Sequence, residues 1–246
     1  SMKRSLDLMF SAFGLLLALP ILVPVCLLIW RQDGHSPFYV AERVGKNRRP
    51  FHMVKLRSMI VRADQSGVDS TSSTDARITP LGRWIREFKL DEVSQLWNVL
   101  LGDMSLVGPR PNVPRETALY TDEENRLLNV TPGITDISSI VFADEGEILA
   151  GAEDPDLRYH QVIRPWKSRL GLLYVSHQSL VLDLQLLLLT FTNSLERSWT
   201  LRIISKIVRR LGGDPELVKV ASRRSSLLPK APPGAIEVVT NIERGK

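Results

Sequence analysis

The sequence predicts an α+β fold, mainly helical with a small β element, set on an N-terminal re-entrant membrane helix and bordered by amphipathic surface helices. Three observations predict it. A run of 23 residues without charge, Leu8 to Trp30, stands close to the N-terminus. The stretch RPFHMVKLRSMI (49–60) alternates at the period of a strand, and the segments 79–101, 179–195 and 198–212 repeat apolar residues at helical spacing. The totals agree with a folded chain: 246 residues, 43% hydrophobic, 24% charged, net charge +5. Such a basic balance asks for an anionic partner, whether nucleic acid, acidic lipid or a phosphorylated substrate. Single-stranded nucleic acid is excluded as a partner because the aromatics are not interleaved with the basic residues. The single cysteine, Cys26, excludes an intramolecular disulfide.

The apolar run would be roughly 35 Å long as a straight helix, enough to cross a bilayer. It is too long for a signal peptide and no small-residue cleavage site follows it. Pro20 and Pro24 fall inside it, and each lacks an N–H and crowds the preceding turn, so a bend is expected. Lys3 and Arg4 precede the run, while Arg31, Arg43, Lys46, Arg48 and Arg49 follow it, which favours one side of the membrane for both ends. Two readings remain, a helix broken near Pro20 that re-enters its own leaflet and a simple single-pass anchor.

Downstream, His35 to Val44 reads as a short strand or loop. In 49–60 the period of two puts Lys55 and Arg57 on one face. The polar stretch 64–75 reads as a mobile loop. Thr79-Pro80 starts a helix whose apolar face is Leu81, Trp84, Ile85 and Phe88. A second helix is expected over Glu92 to Leu101, buried through Val93, Leu96, Trp97 and Leu100 and stopped by Gly102. VTPGIT (130–135) reads as a turn. The helix at 179–195 has too short an apolar stretch to span a membrane, so it is core or interfacial, and Asp183 on it would pair with a cation near the membrane. In 198–212, Leu201, Ile204, Val208 and Leu211 oppose Arg202, Lys206, Arg209 and Arg210; this face either lies on an anionic bilayer or is the solvated side of a core helix. The tail after Arg223 reads as partly disordered.

The chemistry concentrates in FKLDEVSQLWNVLLGDMSLVGPRP (88–111). Asp91 stands where an N-cap belongs, and a cap is one reading of it. The other is a reaction centre. Arg83, Arg86 and Lys89 precede it, and Arg110 follows, restrained between Pro109 and Pro111 and able to grip phosphate by two parallel hydrogen bonds. A carboxylate in such a phosphate pocket can attack phosphorus, while its neighbour Glu92 could hold a divalent ion or take a proton. His35, His52, His160 and His177 fit no metal spacing, and the five tryptophans read as packing or interfacial anchors.

KRSLDLMFSAFGLLLALPILVPV, VGKNRRPFHMVKLRSM, ITPLGRWIREFKLDEVSQLWNVLLGDMSLVGPRP and VTPGIT together resemble the bacterial polyprenyl-phosphate phosphoglycosyl transferases, the monotopic sugar transferases that begin glycan assembly. The resemblance covers about residues 3 to 195. It implies a re-entrant helix bent at Pro20 on the cytoplasmic face of the bacterial inner membrane. It implies that Asp91 attacks the β-phosphate of a UDP-sugar, that UMP leaves, and that polyprenyl (undecaprenyl) phosphate then takes the phosphosugar. Mg²⁺ is implied at Asp91 and Glu92, with Lys55, Arg57, Arg86, Asp103 and Arg110 as substrate-pocket residues. Inner-membrane lipid and downstream glycosyltransferases are the further partners implied. Two departures stand out: Leu19-Pro20 where many members have Ser-Pro, and Asp136 after PGIT where many have glycine, with no arginine until Arg158.

The domain organisation expected is a membrane helix over 1–36, a catalytic domain over 37–195 and an extension with a basic amphipathic helix over 196–246. Two other functions compete with transfer: a membrane phosphatase or nucleotide-sugar hydrolase using the same aspartate, and a non-enzymatic tethered binder of anions.

Overall fold

The computed structural model describes residues 2–63 and 70–242. Part of the stretch expected to be a mobile loop, 64–69, lies outside the described residues. Its remainder is fastened to the body: the Ser70 amide donates to Asp156 at 2.7 Å and the Ser73 amide to the Gly146 carbonyl at 2.8 Å.

Helix α1 (Met2–Asp33) leads into an antiparallel hairpin, β1 (Phe38–Val44) and β2 (Pro50–Leu56), in which Val40 faces Val54. Three short helices follow, α2 (Pro80–Glu87), α3 (Leu90–Val93) and α4 (Leu96–Leu101). After β3 (Ser105–Val107) and α5 (Pro114–Thr117), strand β4 (Gly133–Thr135) pairs parallel with β3. Thus VTPGIT is not simply a turn; its second half is a strand. Gly108 and Gly133 make the pairing possible, since a Cβ on Gly133 would stand 2.0 Å from the Gly108 nitrogen. The rest is helical: α6 (Ile137–Val141), α7 (Glu145–Ile148), α8 (Pro155–Arg158), a π-helical turn (Tyr159–Ile163), α9 (Arg164–Ser176), α10 (Leu180–Leu195), α11 (Arg197–Arg210) and α12 (Pro215–Ser222).

Helix α1 runs unbroken through Pro20 and Pro24, contrary to the break expected near Pro20. Each proline removes one N–H and so deprives only the carbonyl four residues earlier, while the turns on either side keep their bonds. One stripe of α1, with Leu22, Val25 and Ile29, packs on Leu56 of β2 and Ile85 of α2. Most of its remaining side chains are exposed and apolar, among them Phe13, Leu16, Leu17, Val23 and Leu27. Both ends are bonded to the body. Lys3 pairs with Asp183 of α10 at 2.5 Å and donates to the Val107 carbonyl at 2.9 Å, giving Asp183 the cationic partner expected. Arg4 donates to the Val99 and Leu100 carbonyls at the end of α4, and buried Asp7 accepts from the Ser105 hydroxyl at 2.8 Å. At the far end, Asp33 takes both terminal nitrogens of Arg57, at 2.6 and 2.7 Å.

The main core is continuous from Phe51 and Met53 through Val99, Ile137, Trp166 and Leu186 to Ile204, Leu217 and Ala221. Residues 201–227 therefore contribute to the same core, so α11 and α12 are not an appendage. Leu201, Ile204 and Val208 of α11 are buried in it, so the basic face of that helix is the outer side of a core helix. Nor is the described part of the tail, 224–242, loose. Arg223 pairs with Asp144 at 2.6 Å, the Lys230 amide donates to the Gln161 carbonyl at 3.0 Å, and Gln161 donates to the Val239 carbonyl at 2.9 Å.

Candidate active site

The site is built where α2, α3, β2 and the turn after β3 converge. Thr79 caps α2 by accepting from the Gly82 amide at 2.9 Å, as Thr79-Pro80 predicts. Gly82 has no Cβ to separate α2 from the Ser58 carbonyl, and Arg86, one turn on, donates to the Ser58 hydroxyl at 2.9 Å. Lys89 then takes a left-handed conformation (φ 56°, ψ 24°) and redirects the chain into α3. Such backbone costs about 1 kcal/mol or more in a non-glycine residue, and it clusters at functional sites. Because this turn starts the helix at Leu90, Asp91 lies inside α3 and is not its N-cap; no side chain caps α3 at all. That leaves the Asp91 carboxylate free of capping duty.

Burial pushes the Asp91 carboxyl above the ordinary carboxylate range; Lys55 is the strongest charge pulling it back, Glu92 pushes it further up, and Arg86 and Arg110 also pull down. Glu92 is held below its ordinary value, for although burial raises it, the fields of Arg110, Lys55 and Lys89 outweigh that penalty. Its carboxylate pairs with Arg110 at 2.8 Å, both side chains half-buried. The Glu92 charge in turn raises Arg110, which also donates to the Ile134 carbonyl of β4 at 3.2 Å. Burial lowers Lys55 to about 8, with the Arg110 charge acting in the same direction and the two carboxylates opposing. Asp91 is thus a partly desolvated carboxylate beside three cations, Lys55, Arg86 and Arg110. Adjacent carboxylates with opposite shifts suit unlike tasks, one to react and one to hold.

Lys55, Arg86, Asp91, Glu92 and Arg110 come together. Arg57 and Asp103 lie elsewhere. Arg57 follows the last residue of β2 and is buried against Asp33 and the Ser36 carbonyl, to which it donates at 2.8 Å. Asp103 sits at the far end of α4, 3.4 Å from the Asn98 amide nitrogen. Gly102 is left-handed there (φ 96°) and stops α4 as expected. Pro20 lies on the exposed part of α1. Among the described residues no group of three or more His, Cys, Asp and Glu could hold a metal ion. Asp91 and Glu92 are the two carboxylates at this site, Glu92 being paired with Arg110; a Mg²⁺ ion is commonly bound by one or two carboxylates together with substrate phosphates.

Of the stripe expected to be buried on α3 and α4, Val93 and Leu96 pack against the core and Leu100 is half-buried, but Trp97 is not covered. Trp97 is exposed, as are Trp84 and Phe88, whose rings lie 5.2 Å apart. The residues turned inward are Ser94, Gln95, Asn98 and Val99. Polar residues at 91, 94, 95 and 98 fall on one helical face, and that spacing was the available signal.

A family model described as bacterial sugar transferase matches residues 1–197. The chain belongs to that family. It is 42% identical over 123 residues to a Bacillus subtilis protein whose name describes an undecaprenyl-phosphate N-acetylgalactosaminyl 1-phosphate transferase, covering 50% of this chain and 69% of the relative. An undecaprenyl-phosphate glucose phosphotransferase of Komagataeibacter xylinus is 38% identical over 198 residues, 76% of this chain and 35% of its own length. An undecaprenyl-phosphate galactose phosphotransferase of Salmonella typhimurium is 36% identical over 149 residues, 54% and 31% respectively. The chain therefore spans about two thirds of the first relative and about a third of the other two. In this bacterial sugar transferase the Asp136 departure has a structural task. Its buried carboxylate caps α6, accepting from the Ser139 amide and from the Ser138 and Ser139 hydroxyls, each at 2.8 Å.

Proposed function

We propose that this chain is a phosphoglycosyl transferase that moves a sugar phosphate from a UDP-sugar to polyprenyl phosphate on the cytoplasmic face of the bacterial inner membrane. The observation that carries the reading, beyond family membership, is one desolvated carboxylate, Asp91, ringed by Lys55, Arg86 and Arg110. An Asp91 oxygen attacks the phosphorus that bears the sugar. The bond from that phosphorus to the bridging oxygen breaks, and UMP leaves with the electron pair. The acyl phosphate so formed is attacked at the same phosphorus by an oxygen of polyprenyl phosphate, and the Asp91 carboxylate departs intact. A polyprenyl-diphosphate sugar results, a substrate for downstream glycosyltransferases. Lys55, Arg86 and Arg110 offset charge on the diphosphate and on the leaving UMP, where fixed cations in a site poor in water act most strongly. Arg110, held by Glu92 and the Ile134 carbonyl, keeps its remaining donors in a set direction. Mg²⁺, when bound, would be held by Asp91 and Glu92 and would supply further charge neutralisation on the diphosphate.

Two features support membrane attachment from one side. The outer face of α1 is apolar and exposed, with a mean hydropathy of 2.7 over its best 18 residues. Both of its ends bond to the same body, through Lys3, Arg4 and Asp7 at one end and Asp33 at the other, which disfavours placing those ends on opposite sides of a bilayer. Both features support an α1 held in one leaflet, on the side of the membrane where the body lies. The outward face of α10, with Val181, Leu184, Leu188, Phe191 and Leu195, meets the start of α1 at the Lys3–Asp183 pair and would share that leaflet.

The test is UMP release by purified protein with Mg²⁺ and a panel of UDP-sugars, with and without undecaprenyl phosphate. Turnover that needs the lipid and vanishes in Asp91→Asn is expected. Sustained UMP release without the lipid, beyond one UMP per protein, would favour the hydrolase, and undiminished turnover in Asp91→Asn would remove the covalent step.

A further inference from the structure

Among the described residues, strand β2 has one strand neighbour, β1. Its other edge would leave backbone groups unpaired, at a cost of about 1–3 kcal/mol for each group buried. Two side chains serve that edge instead. Asn98 accepts from the Val54 amide at 2.9 Å and donates to the His52 carbonyl at 2.7 Å. Ser94 donates to the Val54 carbonyl at 3.2 Å, and lies within the same distance of the Asp91 carbonyl. Both residues are fully buried, Asn98 with no exposure. Val54 is the residue before Lys55, and Ser94 and Asn98 lie one and two turns past Asp91 on the same helical face. The strand carrying the strongest cation near Asp91 is thereby stitched, at the preceding residue, to the helices carrying Asp91 and Glu92.

We propose that Asn98, assisted by Ser94, is a positioning residue for phosphoryl transfer: it stands in for a third strand and fixes the register of β2 against α3 and α4, so that Lys55 meets the phosphate that Asp91 attacks. This rests on the reading of Asp91 as nucleophile. Polar side chains at these two places are otherwise a poor choice for a buried helix side. Apolar ones would pack there, but they would leave three backbone groups of β2 unpaired. A register held by hydrogen bonds at two consecutive turns resists the sliding by which Lys55 would leave the site.

The experiment is a double-substitution cycle. Asn98→Ala should lower kcat by about 10²-fold, the scale of a 1 Å misplacement, with the donor KM changed little. Lys55→Met should lower kcat comparably. If Asn98 acts through Lys55, the double variant should match Lys55→Met to within about twofold. Multiplying losses would overturn the proposal, as would a loss confined to KM. Ser94→Ala, a milder change, should show the same non-additivity with a smaller loss, and serves if Asn98→Ala fails to fold. A readout independent of turnover is acetylation of Lys55 by acetic anhydride, followed by mass spectrometry with exposed Lys46 as the internal reference. Asn98→Ala should change the Lys55 rate several-fold and leave Lys46 alone; unchanged Lys55 labelling would overturn the proposal. Altered labelling in a protein that transfers no sugar phosphate would support the positioning role and defeat the transfer reading by itself.

Discussion

Replacing Gly82 by alanine probes how the site is assembled. In a helix interior such a change normally stabilises by up to about 1 kcal/mol, because glycine has more backbone freedom to lose. Here the added Cβ would stand 1.8 Å from the Ser58 carbonyl oxygen, 2.6 Å from its carbon and 2.9 Å from its Cα. All three are backbone atoms, so no rotamer change relieves the clash. Restoring an ordinary contact of 3.4 Å needs about 1.6 Å of separation between α2 and Ser58. That movement stretches the Thr79 amide bond to the Ser58 carbonyl, now 3.1 Å, and the Arg86 bond to the Ser58 hydroxyl, now 2.9 Å. Overpacking of this kind costs about 1–3 kcal/mol, and a lost hydrogen bond to a charged group about 1.5–3 kcal/mol. With the helical gain subtracted, a net loss of about 3 kcal/mol is expected, or a Tm lower by about 6–12 °C for a chain of this size. Thermal unfolding in detergent reads the first effect. UMP release reads the second, since Arg86 is one of the cations acting on Asp91. A Tm equal to or above that of the parent protein would refute the seating of α2 on Ser58, and with it the placement of Arg86.

Lys55 sets a pH dependence with opposite signs for activity and stability. As pH rises through about 8 the folded protein loses this cation, so UMP release should fall with a midpoint near that value, and Lys55→Arg should move the limb to higher pH. The folded-state pKa lies below the ordinary 10.5, so the unfolded chain holds this proton more tightly. The unfavourable burial of the ammonium is fully present below about 8 and is relieved between about 8 and 10.5, where denaturant titrations should show the contribution of this group rising. For the C-terminal segment, Asp144 pairs with Arg197 at 2.9 Å and with Arg223 at 2.6 Å. Asp144→Ala leaves both guanidinium groups without that partner and should cost about 2 kcal/mol, read as a Tm about 4–8 °C lower. No change in Tm would mean that α11 and α12 do not depend on this junction.

Much of the molecule was legible in sequence wherever the signal is local. The 23-residue uncharged run marks an apolar helical segment, though not that it would continue unbroken through Pro20; Thr79-Pro80 and Gly102 mark helix ends by backbone chemistry alone, and the alternation in 49–60 gives β2. The motif from Phe88 to Pro111 likewise supplied Asp91, Glu92 and Arg110 as neighbours, because a short helix and a proline-restrained turn keep them close. The misreadings have a shared cause. Apolar periodicity identifies a helix face but not what covers it: Ile85 and Val99 are buried, while the large aromatics Trp84, Phe88 and Trp97 turn outward. The inner side of α3 and α4 carries Ser94 and Asn98, whose partners are backbone groups of β2 40 and 44 residues earlier. Arg57 next to Lys55 looked like a second substrate cation, yet its partner, Asp33, is known only once the end of α1 folds back onto β2. The β3–β4 pair, the anchoring of both ends of α1 and the joining of 196–242 to the core are long-range contacts of the same kind. Local sequence thus determined the helices, their stops and the reactive motif, since backbone propensity and short spacing suffice for them. Tertiary structure alone decided which of the candidate cations surround Asp91, admitting Lys55 and sending Arg57 to Asp33, because that depends on elements distant in sequence meeting at fixed register.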